Sequence, residues 1–143
     1  MTLIVPNQGE EAFLDLILAV DYTLRLFKND VMQAGTITAA QKEALTEADF
    51  VEADFPGYAS VALTGGSWTT TPGDPGVGAY AQQTFIRSST GTVQNVYGYY
   101  IVTTAGGSLR WFEPFPPITG VEVTLINDEI RVTPRLPLRD SQD

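Results

Sequence analysis

The chain contains no cysteine and no histidine among its 143 residues. Without cysteine, disulfide bonds, thiolate metal sites and cysteine nucleophiles are excluded. Without histidine, the usual zinc sites with imidazole ligands and catalytic triads with a histidine base are excluded as well. Because no other catalytic signature is present, we expect a protein that is not an enzyme and that uses no cofactor or metal.

Charged side chains are scarce and mostly acidic. They make up 17% of the residues, below the ~25% that is usual for soluble domains. The 8 basic residues face 17 acidic ones, which gives a net charge of −9. Nucleic acids and anionic membrane surfaces attract basic patches, so we expect neither as a partner. A chain with so little charge often hides part of its surface against other subunits.

The chain also lacks a hydrophobic run long enough to span a bilayer. The longest one near the N-terminus, "AFLDLILAV" at residues 12–20, is interrupted by Asp15. The first basic residue is Arg25, whereas a signal peptide begins with a basic region. We therefore expect synthesis in the cytoplasm without export by that route.

Residues 6–20 predict an N-terminal α-helix. Asn7 is the predicted N-cap, with Glu10 three residues later as in a capping box. The apolar positions cover more than one stripe, so we expect the helix to bury most of its circumference, in its own domain or in a neighbouring subunit. These positions are Phe13, Leu14, Leu16, Ile17, Leu18 and Val20.

Residues 31–57 do not alternate as a strand would. Thr38 predicts the N-cap of a short helix at residues 39–45, with Gln41 at the third helical position. The tetrad E-A-D-F then occurs twice in close succession. The acidic side chains of this segment suggest an acidic contact surface or solvated loop, and calcium binding is the alternative, although the spacing of an EF-hand is missing.

From Tyr58 onward, short alternating segments separated by glycine-rich turns predict β-structure throughout. The turns Gly106-Gly107 and Asn127-Asp128 favour hairpins. The predicted fold is mainly β: a single jelly-roll-like antiparallel β-sandwich with an N-terminal α-helix and a short helix near 39–45. Its expected parts are a helical arm (1–20), the sandwich with an insert (21–136, insert 31–57) and a flexible tail (137–143). The predicted strands are 22–30, 58–64, 67–71, 78–87, 94–104, 109–115, 121–126 and 129–136.

The segment "QNVYGYYIV", residues 94–102, is apolar on both faces of a strand. A strand of this kind is covered on both faces, and we predict that Gly98 leaves a hollow for a bulky neighbour such as Trp111 or the helix. The alternative is an aromatic platform that stacks sugars. The predicted core residues are Trp68, Tyr97, Gly98, Tyr100 and Trp111.

Glu113 is the one carboxylate of the β region in an unusual place, directly after Trp111-Phe112. Glycosidases work with paired carboxylates, which makes an enzyme of this class a third interpretation. A single glutamate beside aromatic residues is more often a hydrogen-bonded edge residue, and that is what we expect.

Several motifs in this order are similar to a family of small virion structural proteins from tailed bacteriophages. They are the N-terminal helix followed by "LRLFKN", the strand "VYGYYIV", the strand "LRWFEPF" and the terminal "VTPRLPL". The resemblance covers nearly the whole chain. The acidic insert near 43–55 and the proline-rich "EPFPPITG" depart from the pattern.

This resemblance implies a non-enzymatic protein located in the virion. The expected function is that of a capsid cement or decoration protein, which stabilises the shell by bridging subunits of the major capsid protein and forms a homo-oligomer. The alternative is a tail-associated protein, such as a fibre, an adaptor or a carbohydrate-binding receptor module, and only this alternative implies a glycan partner. The expected partner interface comprises Phe13, Leu14, Ile17, Leu18, Glu47, Asp49, Phe50, Glu52, Asp54 and Phe55.

Overall fold

The computed structural model of the protein describes residues 4–73, 75–116 and 118–138. Two α-helices are present in these ranges, α1 (Asn7–Ile17) and α2 (Ala39–Glu43). The strands are β1 (Tyr22–Phe27), β2 (Val61–Leu63), β3 (Thr69–Thr71), β4 (Gly76–Ala79), β5 (Gln83–Ile86), β6 (Gln94–Val96), β7 (Gly98–Thr103), β8 (Leu109–Pro114), β9 (Val121–Val123), β10 (Glu129–Val132) and β11 (Arg135–Leu138).

All strand pairs are antiparallel, so the prediction of a mainly β, antiparallel fold with an N-terminal helix is confirmed. The largest sheet has four strands in the order β2-β1-β7-β8. Three smaller sheets have the orders β11-β4-β3, β10-β5 and β6-β9. The pairing of β1 with β7 joins Tyr22 to Thr103 and Phe27 to Gly98, which are far apart along the chain.

Three of the predicted strands are each divided in two. Residues 78–87 contribute to β4 and β5, residues 94–104 to β6 and β7, and residues 129–136 to β10 and β11. Pro134 lies between β10 and β11 and has no N–H to donate to a sheet, while its carbonyl accepts a hydrogen bond from the N–H of Tyr80. At each of the three places the chain passes from one sheet to another.

One predicted hairpin is confirmed and the other is wrong. Gly106 and Gly107, both at positive φ, connect the paired strands β7 and β8. Asn127 and Asp128 form a turn, but β9 pairs with β6 and β10 pairs with β5. The Asp128 carboxylate closes this turn by accepting hydrogen bonds from the backbone N–H of Thr124, at 2.8 Å, and of Leu125, at 2.7 Å.

The central strand β7 is buried on both faces, as its sequence predicts. Tyr99 and Ile101 face the main hydrophobic core, to which α1 and all four sheets contribute. Tyr100 and Val102 face a second, smaller cluster on the opposite side of the four-stranded sheet. That cluster is formed by Phe27, Val31, Phe50, Tyr100 and Val102.

The insert between β1 and β2 covers the outer face of this sheet. Thr38 caps α2 as predicted: its hydroxyl accepts the N–H of Gln41, whose side chain accepts the N–H of Thr38. α2 is shorter than predicted because it ends at Glu43. The two E-A-D-F tetrads serve different cores, since Phe50 lies in the second cluster and Phe55 in the main one.

The ends of the chain differ from the prediction. The N-cap of α1 is Pro6, so Asn7 is the first helical residue and its side chain does not cap the helix. Pro137 and Leu138, assigned by the sequence to a flexible tail, belong to β11 and pair with Val77 and Gly76. The rest of that predicted tail lies outside the described residues. Within the described ranges, no helix has the length and apolar character required to cross a membrane.

Candidate functional site

The N-terminal helix presents a row of exposed apolar side chains. Phe13, Leu16, Ile17 and Val20 are 53%, 73%, 39% and 50% exposed, and we call these four residues the α1 stripe. They recur at spacings of three and four residues, so they share one side of α1 and its C-terminal turn. Clustered apolar surface of this kind marks protein–protein contacts. The α1 stripe is therefore the candidate functional site.

Two helix residues that the sequence assigned to the partner interface are buried instead of exposed. Leu14 and Leu18 are 0% and 2% exposed and pack into the main core. They fit against β4 because Gly76 and Gly78 have no side chains there; a Cβ on Gly78 would overlap Leu18. Within its own domain, α1 buries only the side that carries Leu14 and Leu18. Of the helix residues predicted for the partner interface, Phe13 and Ile17 remain exposed.

Leu16 and Val20 belong to the stripe but were absent from the interface predicted from sequence. Their apolar character was visible, yet the sequence marked apolar positions around most of the helix. Only the packing of α1 against β3 and β4 shows which side remains exposed. Asp15 lies on the side toward β3, where its carboxylate accepts a hydrogen bond from the Thr70 hydroxyl at 2.9 Å.

An open hollow of about 870 Å³ runs along three residues of the α1 stripe, Leu16, Ile17 and Val20. It lies between α1 and the β7–β8 turn, and its walls include Ile17, Val20 and Thr104. The Tyr22 hydroxyl donates a hydrogen bond to the carbonyl of Ile17 at 2.7 Å and so anchors the end of α1 to β1. The helix side of the hollow is thereby held in a defined position relative to the sheet.

The acidic segment that the sequence assigned to the interface is exposed at some positions and buried at others. Glu47 and Asp49 are exposed, and the Asp49 carboxylate accepts the N–H of Thr46 at 2.8 Å. Phe50 and Phe55 are 7% and 3% exposed, so both lie inside the protein and are unavailable to a partner.

Glu52 and Asp54 are tied to the chain's own side chains. The Glu52 carboxylate accepts a hydrogen bond from the Tyr58 hydroxyl at 2.8 Å. Asp54 forms an ion pair with Lys28 at 2.8 Å, and this contact, with a further hydrogen bond from Gln94, holds the pKa of Asp54 below its usual value. These two carboxylates fasten the insert to the sheet.

The aromatic residues predicted for the core pack against one another. Trp68, Gly98 and Tyr100 are buried, whereas Tyr97 and Trp111 are half-buried. The Trp68 and Trp111 rings lie 6.0 Å apart, and the Tyr100 ring stacks on Phe50 at 4.8 Å. The residue that fills the hollow at Gly98 is Phe27, which corrects the expectation of Trp111 or the helix. Trp68, Tyr99 and Tyr100 are therefore covered and cannot stack on a sugar.

Glu113 has the hydrogen-bonded environment expected of an edge residue. Its carboxylate accepts the Tyr99 hydroxyl at 2.9 Å and lies 3.4 Å from a guanidinium nitrogen of Arg135. Burial and this carboxylate raise the pKa of Tyr99 well above its ordinary value. In residues 4–73, 75–116 and 118–138, no group of three or more acidic side chains is arranged to hold a metal ion.

Comparisons with protein-family models, with curated proteins and with solved structures give no match to this chain.

Proposed function

We propose that the protein is a non-enzymatic structural protein of a bacteriophage virion. Within the virion, we propose a capsid cement role, in which the protein bridges subunits of the major capsid protein. The supporting observation is the α1 stripe, an exposed apolar surface on a chain whose other large aromatic side chains are mostly covered internally. The sequence resemblance to virion proteins supports the location.

The physical basis of this proposal is burial of the stripe at a protein–protein contact. Covering apolar surface stabilises an interface by about 25 cal/mol for each Å² removed from water. A cement protein needs no reaction centre, only a stable scaffold with such a surface. If one molecule contacts two neighbouring subunits, the second contact forms at a high effective concentration and strengthens the binding.

We further propose that the four antiparallel sheets form a jelly-roll-like sandwich. The support is the crossover that places β1 next to β7 in the largest sheet, together with a main core shared by residues of all four sheets. Small sandwiches of this type are suitable scaffolds for shell proteins, which is an argument from architecture alone.

The tail-associated alternative shares the virion location but predicts a different copy number. Quantitative mass spectrometry of purified particles separates the two, because a cement protein is present in hundreds of copies that scale with capsid subunits. A few tens of copies or fewer would contradict the cement role. Specific glycan-array binding by the wild-type protein would instead support the receptor-binding form of the alternative.

The role of the stripe is tested by adding purified protein to particles that lack it. We expect the wild-type protein to bind and to raise the temperature at which the shells open. Leu16→Lys should bind at least about tenfold more weakly because a charge cannot be buried in an apolar contact. Leu125→Lys is the matched control, since Leu125 is 57% exposed and lies outside the stripe. Equal binding of both variants would remove the α1 stripe from the proposal.

A further inference from the structure

We infer that a second site, separate from the α1 stripe, binds an arginine side chain of a partner protein. The site is a pocket of about 320 Å³ at the end of the four-stranded sheet where β1 ends and β7 begins. The insert after β1 and the segment after β8 form its walls, so we call it the insert pocket. The side chains that define its chemistry are Phe27, Asp30, Met32, Tyr97, Phe115 and Ile118.

The walls of the insert pocket are mostly apolar and aromatic. Phe27 is fully buried, Tyr97 and Phe115 are half-buried, and Ile118 is 51% exposed. Ligand sites are typically concave, with volumes of roughly 300–1,000 Å³, apolar walls and a few polar groups that orient the ligand. The insert pocket is at the lower end of this range, which suits one side chain rather than a large molecule.

Asp30 gives the insert pocket a negative charge. It is the only charged residue among the described residues that line the pocket. One of its carboxylate oxygens accepts the N–H of Ala34 at 2.7 Å, and none of the ion pairs within residues 4–73, 75–116 and 118–138 involves Asp30. A carboxylate attracts a cation, and the faces of aromatic rings do so as well. The pocket is therefore complementary to a positive charge carried on an apolar stem.

Arginine fits this combination better than lysine does. Its guanidinium is planar and less strongly hydrated than an ammonium group, and it stacks on aromatic faces. Tyr97 and Phe115 supply such rings, and Asp30 supplies the opposite charge. The methylene stem of an arginine can lie along Met32 and Ile118, as long basic side chains do on apolar surfaces. An arginine that projects from a partner protein would thus use each part of the pocket wall.

The loop that carries Asp30 is held in an unusual conformation. Gln33, Ala34 and Gly35 are consecutive residues at positive φ, with values of 52°, 54° and 84°. Cβ atoms make this conformation unfavourable for the first two, and such strain clusters at ligand-binding sites, where surrounding contacts maintain it. Here the Asp30 carboxylate binds the N–H of Ala34, and a Cβ on Gly35 would lie 2.9 Å from the Ile118 side chain. These contacts hold Asp30 in a defined position at the pocket.

The insert pocket and the α1 stripe lie at opposite ends of the paired strands β1 and β7. The hollow beside the stripe is lined by Tyr22 and Thr103, which pair with each other. The insert pocket is lined by Phe27, which ends β1, and by Tyr97, which directly precedes β7. At about 3.3 Å per residue, the two sites are separated by roughly 17 Å of strand. A protein that bridges two subunits needs two separated contacts, and the insert pocket supplies the second; this role, unlike arginine binding itself, rests on the proposed function.

Nuclear magnetic resonance of the full chain labelled with nitrogen-15 tests the pocket, with N-acetyl-arginine methylamide as the probe. We expect saturable shifts of amide signals at the pocket, including those of Asp30, Tyr97 and Ile118, with a Kd on the order of 1–10 mM. The leucine analogue of the probe, which has no charge, should bind at least about fivefold more weakly. Added salt should weaken binding of the arginine probe because it screens charges. Absence of saturable shifts at the pocket up to about 100 mM probe, or equal binding of the leucine analogue, would overturn the inference.

Asp30→Asn is the decisive variant, because the amide oxygen of asparagine can still accept the N–H of Ala34 while the charge is removed. We expect the Kd for the arginine probe to rise at least about threefold. Asp49→Asn is the matched control: Asp49 is also exposed and its carboxylate also accepts a backbone N–H, that of Thr46 at 2.8 Å, but it does not line the pocket. Far-ultraviolet circular dichroism verifies that both variants are folded. An unchanged Kd in Asp30→Asn, or equal weakening by both variants, would overturn the inference.

The proposed function and this inference fail in different experiments. If particle binding depends on Leu16 and the arginine probe does not bind, the cement role stands and the insert pocket is refuted. If the probe binds at the pocket but the protein has no affinity for particles, the cement role is refuted and the pocket stands. Where both bind, Asp30→Asn should weaken particle binding at least about threefold and Asp49→Asn should not. Equal particle binding of these two variants would refute the pocket as the second contact.

Discussion

Gly98 and Phe27 occupy paired positions on β7 and β1, and the Phe27 ring covers the glycine. A Cβ on Gly98 would lie 2.8 Å from the ring and would overlap the carbonyl oxygen of Glu113 on the other neighbouring strand. Phe27 is fully buried, so neither it nor the backbone of β8 has room to move. The absence of a side chain at residue 98 is therefore a packing requirement of the four-stranded sheet.

We predict that Gly98→Ala lowers the free energy of unfolding by about 2–3 kcal/mol, because overpacking at this position must displace backbone atoms. Urea denaturation followed by tryptophan fluorescence measures the change. Gly9→Ala is the control, since the added Cβ would meet only side-chain atoms, of Val5 at 3.1 Å and of Pro6 at 3.7 Å, and alanine favours a helix. A loss below about 0.5 kcal/mol in Gly98→Ala would contradict this account.

Arg87 is a buried cation that the sequence did not single out. It is 2% exposed, and its guanidinium donates hydrogen bonds to the carbonyls of Ser89 and Val123, each at 2.7 Å. We predict that Arg87→Met lowers the free energy of unfolding by about 2–3 kcal/mol, since two carbonyl groups lose their donor. Arg87→Lys should not restore it fully because an ammonium group cannot reproduce the planar fork.

Arg131→Met is the control for Arg87→Met. The Arg131 side chain is 61% exposed and pairs with Glu129 at the surface. The free energy of unfolding of Arg131→Met, measured by thermal denaturation, should stay within about 0.5 kcal/mol of the value for the natural chain. If the two methionine variants lost equal stability, the carbonyl contacts of Arg87 would not explain its burial.

Ala34 has a left-handed backbone conformation, with φ of 54°, in the loop that follows β1. Asp30 supports it by accepting the N–H of Ala34 at 2.7 Å. Glycine adopts this conformation without the steric cost that a Cβ imposes, so we predict that Ala34→Gly raises the free energy of unfolding by about 0.5–1 kcal/mol. Ala40→Gly makes the same chemical change within α2 and should lower it by about the same amount. Chemical denaturation measures the stability of both variants. The prediction is disproved if Ala34→Gly is less stable than Ala40→Gly.

Asp128 makes the protein sensitive to acid. The N–H groups of Thr124 and Leu125 hold the pKa of Asp128 below 3.8 by hydrogen bonding to its carboxylate. Because the folded-state pKa is lowered, this stabilisation is complete above the unfolded-state pKa and is lost as pH falls through the folded-state pKa. We predict that Asp128→Asn flattens the decrease in stability below about pH 4. Denaturation at pH 7 and pH 3 tests this, and an unchanged difference would contradict it.

Tyr58 and Tyr99 make the protein sensitive to alkali. Burial is the main reason that both pKa values lie well above 10, and Glu52 and Glu113 raise them further. A raised pKa gives stabilisation that is complete below the unfolded-state value and is lost as pH rises above it. We predict that these two hydroxyls ionise only when the protein unfolds. Absorbance of tyrosinate near 295 nm, recorded with circular dichroism, should show this; ionisation of all six tyrosines before unfolding would refute it.

Local features of the fold were predictable because their causes lie within a few residues. Thr38 and Gln41 form their capping box through neighbouring backbone groups. The burial of β7 on both faces followed from its alternating pattern, which needs no knowledge of what covers it. The general location of the site was also visible, since the apolar helix contributed Phe13 and Ile17 to the predicted interface.

The remaining features of the fold depend on contacts between parts of the chain that are far apart in sequence. Gly76 and Gly78 make room on β4 for Leu14 and Leu18, which turns that side of α1 inward and leaves the stripe exposed. Phe50 and Phe55 pack into two different cores, which lie on opposite sides of the four-stranded sheet. The sequence by itself determined an acidic, charge-poor β-protein with an apolar N-terminal helix. Only the tertiary structure decided which apolar residues face outward, because burial depends on whether a distant strand leaves space for them.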